Sequence, residues 1–125
     1  MISLYTTAFN LNNFDFCFKQ VFENWFYYVD EVVISTLEDQ VEEIKTEINK
    51  TTFSDRIKIV STDLDPNKDL YWDGKLKDAG LKACSHNSVI QLDLDERISG
   101  SKYTFKDLFI EINKHDFPCS IMLPT

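Results

Sequence analysis

Hydrophobic positions along this chain follow two alternating rhythms, and their order predicts the fold. Residues Ile2 to Ala8 form a short run rich in β-formers, which predicts a strand. The spacing then changes. Phe14, Cys17, Phe18, Val21, Phe22, Trp25 and Val29 recur at helical intervals, behind Asn12 and Asn13, which can cap a helix N-terminus. Within Glu31 to Ser35, Val32-Val33-Ile34 is a continuous apolar run that suits a strand buried on both faces. A second helix is predicted from the stripe Val41, Ile44 and Ile48. Glu38, Asp39, Glu42 and Glu43 gather early in it, where the helix dipole favours negative charge.

Arg56 to Ser61 predicts a third strand around Ile57, Ile59 and Val60, and Asp63 to Asp69, with Pro66, a polar connection. Leu76, Ala79, Gly80 and Ala83 mark a third helix whose small-residue face allows close packing. Ser88 to Leu94 predicts a fourth strand. Thr104, with Asp107 three residues later, starts a further helix buried through Phe105, Leu108, Phe109 and Ile112. Cys119 to Leu123 is a candidate last strand before Pro124.

Strands alternating with helices predict a single α/β domain over residues 1–125, a three-layer, Rossmann-like α/β/α arrangement with a parallel sheet and right-handed crossovers. The expected strand order is 3-2-1-4. It sets the ends of the first and fourth strands on either side of a crevice, and ligands of such sheets bind outside the carboxyl ends where the order reverses.

Composition narrows the partners. The net charge of −8, without a Lys/Arg cluster to offset it, disfavours nucleic acid. A phosphate-bearing ligand stays admissible where a metal ion supplies positive charge. Cys17, Cys84 and Cys119 are odd in number and lack a CxxC spacing, which argues against a disulfide framework or structural zinc and for a reducing, cytoplasmic setting. Met1 to Phe9 has no basic region followed by an apolar stretch, so neither a signal peptide nor a transmembrane segment is expected.

Candidate chemistry concentrates at the end of the fourth strand, Val89-Ile90-Gln91-Leu92-Asp93-Leu94-Asp95-Glu96. Carboxylates two apart on extended chain point to the same side, so Asp93 and Asp95 are expected to converge just beyond an apolar strand. Two oxygen ligands at that spacing suit Mg²⁺ or Mn²⁺, completed by water and ligand phosphates. A second D-x-D, Asp63-Leu64-Asp65, sits beside Pro66 and reads as solvated turn residues.

From these residues a family resemblance emerges. Val89 to Ile98 resembles the strand and D-x-D motif of GT-A type (family 2-like) glycosyltransferases. Lys77-Asp78-x-Gly80-Leu81 is similar to the Arg-Asn-x-Gly-Leu segment preceding that strand, and Thr7-Ala8-Phe9-Asn10 to the Pro-Thr-Tyr-Asn turn bordering the nucleotide. Tyr28 to Ile34 resembles the approach to the family's second strand. The likeness runs from about Ile2 to Ile98. It implies a UDP- or GDP-linked nucleotide-sugar donor, a divalent Mg²⁺ or Mn²⁺ ion on Asp93 and Asp95, and nucleotide contacts from Thr7, Ala8, Phe9, Asn10, Ser35 and Lys77.

The sequence departs from that pattern in three places. After the second strand it carries Ser35-Thr36-Leu37-Glu38-Asp39 instead of the family's acidic, Gly-containing turn. The helix motif has Lys77, a point charge, in place of a forked Arg. Family members also continue well past the D-x-D strand into an acceptor-binding half that supplies the base of inverting enzymes. The expectation is therefore a domain incomplete relative to the family, either a piece of a longer enzyme or a reduced relative that binds the donor without completing transfer, with a second copy or a missing C-terminal half as its partner. Two alternatives stand beside it: a noncatalytic interaction module, and a phosphatase of the haloacid dehalogenase type, which places its D-x-D at the first strand. Other residues have plainer readings: His86 as a loop residue, His115 at a helix end, Trp72 as packing or a base platform, and Lys75 as a solvated or phosphate-facing cation. Phe16 and Tyr27 fall off the buried stripe of the first helix.

Overall fold

The computed structural model describes residues 1–9 and 17–114. Four strands, β1 (Ile2–Ala8), β2 (Glu31–Leu37), β3 (Ile57–Thr62) and β4 (Ser88–Gln91), form one sheet. All pairings are parallel, as the alternation of periods predicts, and the order is β3-β2-β1-β4, the one expected of a Rossmann-like sheet. Four helices connect or follow them: α1 (Phe18–Tyr28), α2 (Val41–Asn49), α3 (Trp72–Ala83) and α4 (Lys102–Asn113).

The two faces of the sheet are covered differently. Ile2, Leu4 and Ala8 of β1, Val32 and Ile34 of β2, and Ile90 of β4 join one apolar cluster with Phe18, Val21, Phe22 and Trp25 of α1, Ile44 and Ile48 of α2, and Phe105 and Phe109 of α4. Side chains alternate along a strand. Val33 and Ser35, both wholly buried, therefore face the opposite way, under α3. There Gly80 lets the helix approach so closely that a Cβ at that position would lie 3.0 Å from Tyr5 Cδ2 and 3.2 Å from Ser35 Cβ. The small-residue face read in the sequence is thus the contact that seats α3 on β1 and β2.

Several boundaries differ from the expected ones, for local reasons. The fourth strand stops at Gln91 instead of Leu94. Leu92 N–H still donates to Tyr5 O (3.3 Å), but Glu96 then takes over: its N–H donates to Asp93 O (3.0 Å) and its Oε1 accepts Asp93 N–H (2.8 Å). These bonds close a turn that drives Leu94 into the core, where it is 5% exposed. The cap of α4 is Ser101, not Thr104. Its Oγ accepts from Tyr103 N (3.2 Å) and Thr104 N (3.5 Å), directly after Gly100, whose φ of 109° reverses the chain in a region open mainly to glycine. α3 begins at Trp72, a turn before Leu76, and β3 is displaced by one residue from the expected span. α1, as described, begins at Phe18 with Cys17 at the cap position and no side-chain cap bond. Asn12, Asn13, Phe14, Phe16, His115 and Cys119 to Leu123 lie outside the described residues. Among the described residues no helix is long and apolar enough to cross a membrane.

Candidate functional site

The strand order reverses at β1, with β2 on one side and β4, reached by the long crossover through α3, on the other. That makes the carboxyl ends of β1 and β4 the place where ligands of such sheets bind. β1 ends in Thr7 and Ala8, followed by Phe9; β4 is followed by Leu92 and Asp93. On the face that α3 covers only in part, Thr7 and Tyr5 are half-buried and Gln91 is exposed. Burial raises the Tyr5 phenol above its ordinary value, helped by Cys84 and Asp78.

The residues expected to bind nucleotide divide by accessibility. Thr7 and Phe9 are half-buried at the crevice. Ala8 is 1% exposed, and its carbonyl is already taken by Thr36 Oγ1, which donates to it at 2.7 Å. Ser35 does not reach the crevice at all. It pairs opposite Thr7 in register, is 0% exposed, and its hydroxyl donates to Leu76 O at 2.6 Å, which ties α3 to the sheet. That bond uses the only proton of the hydroxyl in a close-packed layer, so Ser35 serves helix docking instead of ligand contact. Asn10 lies outside the described residues. Lys77 is half-buried on α3 and, among the described residues, has no ion pair, whereas Lys75 meets Asp69 (3.7 Å) and Lys82 meets Asp78 (2.8 Å).

Asp93 and Asp95 are both exposed and flank the buried Leu94. They stand in a turn, not on extended chain, so the expected same-side alignment along a strand is replaced by the geometry of the Asp93–Glu96 turn. Arg97 Nη1 donates to Leu94 O and Glu96 O, each at 3.0 Å, which fastens the far side of the turn. Among the described residues no three His, Cys, Asp or Glu side chains gather into a cluster able to hold a metal on protein ligands alone. The other D-x-D behaves as a turn: Asp65 Oδ1 accepts Asn67 N–H (2.9 Å), and Asp65 N–H donates to Asp69 Oδ2 (2.8 Å).

The sequence reading missed the residues that hold the acidic turn in place. Three neighbours on α1 grip the segment that follows it. Asn24 makes a two-way pair, Nδ2 donating to Ile98 O and Oδ1 accepting Ile98 N–H, both at 2.8 Å. Trp25 Nε1 donates to Glu96 O (3.1 Å), and the Tyr28 hydroxyl donates to Gly100 O (2.7 Å). One signal was present: Asn24 is an amide beside the apolar stripe, and amides there are retained when they satisfy backbone groups. On the other side of β4, Ile90, Leu92, Ile98, Phe105 and Leu108 line an open, mostly apolar cavity of about 630 Å³.

At the opposite, amino edge of the sheet, Glu31 forms a separate junction. Its carboxylate accepts from Ser3 Oγ (2.8 Å), Ser85 N–H (2.8 Å) and Ser85 Oγ (2.7 Å). Burial alone would raise this carboxyl, but the Ser85 and Ser3 hydrogen bonds and the Lys58 charge outweigh it and hold Glu31 below its ordinary value. His86 occupies the adjacent loop, as expected, with its N–H donating to Ser3 Oγ (3.3 Å). No family model matches the sequence, and neither a curated protein nor a solved structure matches the chain.

Proposed function

We propose that this domain binds a nucleotide-sugar diphosphate, UDP- or GDP-linked, at the β1–β4 crevice in the manner of a GT-A glycosyltransferase. One observation carries the reading: the reversal of strand order brings the Thr7–Phe9 end of β1 beside the Asp93–Asp95 turn that follows β4. A polyanionic ligand in a chain of net charge −8 needs a cation at its phosphates. The acidic turn offers the exposed carboxylates of Asp93 and Asp95 for one. With no third ligand gathered among the described residues, the remaining positions of a Mg²⁺ or Mn²⁺ octahedron would fall to water and substrate phosphate oxygens. Asp93 and Asp95 would hold the ion, and Lys77, free of ion pairs among the described residues, would face the diphosphate. The bound ion supplies charge stabilisation for a departing diphosphate.

The chain's own residues do the positioning. The α1 grip on residues 96–100 fixes the acidic turn before ligand arrives, and preorganised groups cost little to align. The cysteine count supports a cytoplasmic setting. Calorimetry with UDP and GDP, in Mg²⁺ or Mn²⁺ and then in EDTA, tests the reading. Binding that needs the metal and is lost in Asp93→Asn and Asp95→Asn supports it; nucleotide affinity indifferent to EDTA refutes it. A binding module without catalysis is the second reading. The open apolar cavity beside α4, together with Tyr103 (82% exposed) and Ile110 (56% exposed) on that helix, favours it by offering a surface for a second copy or a further domain. Sedimentation analysis decides whether the chain self-associates.

A further inference from the structure

We propose that the indole of Trp72 is the platform on which the base of the bound nucleotide stacks, a role that rests on the nucleotide reading above. α3 runs antiparallel to the strands. Its last turn lies at the amino edge of the sheet, where Lys58 Nζ reaches Ala83 O at 2.9 Å, so its first residue, Trp72, stands at the carboxyl edge. There its ring meets Phe9, the residue directly after β1, with centroids 4.9 Å apart and planes inclined at 54°. The contact brings the indole to the end of the strand at which the sheet order reverses.

Packing against Phe9 leaves part of this ring accessible. The other tryptophan, Trp25, is 0% exposed and spends its N–H on Glu96 O, whereas Trp72 is only half-buried and follows Leu70 and Tyr71, which are 81% and 71% exposed. A helix start carrying three consecutive large, accessible apolar groups presents surface that a ligand with a flat face can cover. Phosphate is not the group this end receives. Asp73 already occupies the helix N-terminus, its Oδ1 accepting Gly74 N–H at 2.9 Å. Lys77, which has no ion pair among the described residues, lies more than one turn further along the helix. A nucleoside diphosphate laid along the crevice therefore places its base at Trp72 and its phosphates toward Lys77 and the acidic turn. Stacking is also the contribution least opposed by the chain's negative charge, because it needs no cationic partner.

The test uses the whole chain with Mg²⁺ and three probes: UDP, GDP and inorganic pyrophosphate. Trp25 is sealed in the core, so emission changes on binding report Trp72. UDP or GDP is expected to quench that emission, and Trp72→Leu to weaken their calorimetric affinity about 5- to 150-fold, the usual worth of one base–aromatic stack. Pyrophosphate affinity is expected to stay within about twofold and Trp72→Phe to keep most of the nucleotide affinity, since it keeps a ring. Trp72→Leu binding nucleotide as the wild type does would overturn the platform while leaving nucleotide binding standing. Equal losses for UDP and pyrophosphate would overturn it too, by showing a general disturbance of the site. Wild-type chain that binds no nucleotide would overturn both proposals. If Trp72→Leu does not fold, wild-type quenching by UDP or GDP and the Trp72→Phe affinity decide the matter, and absent quenching counts against the platform.

Discussion

The seat of α3 can be tested by making one substitution at two places in the same helix. Gly74 and Gly80 both belong to α3, yet a Cβ at Gly74 meets nothing within 4 Å, while a Cβ at Gly80 meets Tyr5 and Ser35 at 3.0 and 3.2 Å. Alanine in place of glycine at a compatible site stabilises by about 0.4–1 kcal/mol, largely by restricting the unfolded chain. Gly74→Ala is therefore expected to stabilise by about 0.5 kcal/mol. At Gly80 the same gain, about 1 kcal/mol in a helix interior, is opposed by overpacking of about 1–3 kcal/mol. The neighbours cannot give easily. Ser35 is fixed on a central strand by its bond to Leu76 O, and the Tyr5 ring is half-buried under the helix. The expected net is a destabilisation of about 0–2 kcal/mol for Gly80→Ala, and more than 3 kcal/mol for Gly80→Val. Urea unfolding at constant slope measures both, with the Gly74→Ala midpoint above wild type and the Gly80→Ala midpoint below it. Gly80→Ala as stable as Gly74→Ala would show that α3 does not sit as close to the sheet as described.

Four further outcomes follow from other contacts. Ser101→Ala should cost about 1 kcal/mol through loss of the α4 cap, whereas Thr104→Ala should cost less than about 0.5 kcal/mol as an exposed change; thermal unfolding separates them. Because Glu31 is held below its ordinary value, its contribution to stability is complete above the unfolded carboxyl value of about 4.3 and is lost as pH falls through the lower folded value. Urea midpoints followed from about pH 6 down to about pH 3 should therefore drop less in Glu31→Gln than in wild type. Burial, with Glu31 nearby, pushes the Cys84 thiol up to about 11, so near pH 8 the half-buried Cys84 should label with a thiol reagent more slowly than the exposed Cys17. Finally, Asn24→Ala should leave α1 helical but loosen residues 96–100, seen as faster amide exchange at Ile98, whose N–H loses its partner.

The fold was legible because its signals are periodic and reinforce one another. The apolar run Val32-Val33-Ile34 suits a strand buried on both faces, and the helical stripe from Phe14 to Val29 is too long for a strand. Right-handed crossovers allow several strand orders, and 3-2-1-4 is expected as the order of a Rossmann-like sheet. Boundaries were less legible, since they are decided by single hydrogen bonds that sequence does not rank. Glu96 ends β4 early, and Ser101 takes the cap that Thr104 had the residues to claim. The site was legible only in part. Asp93, Asp95, Thr7 and Phe9 do stand at the carboxyl edge, because strand ends position them. Ser35 failed as a contact because its face, set by register against Thr7, belongs to α3. The Asn24 clamp and the Phe9–Trp72 contact join residues far apart in the chain, and no local pattern announces them.

The strand order also has a consequence for how the site comes into being. β1, β2 and β3 are joined through the nearest connections in the chain, and Ser3 needs to find only Glu31 to start that ladder. β4 pairs with β1 from the far end of the domain, Ile2 opposite Ser88, and contacts of such wide separation close slowly. The α1 grip on residues 96–100 spans a comparable gap. The candidate site therefore exists only where β4 is docked on β1, and a ligand bound at that boundary would draw its stabilisation from the state in which all four strands are paired.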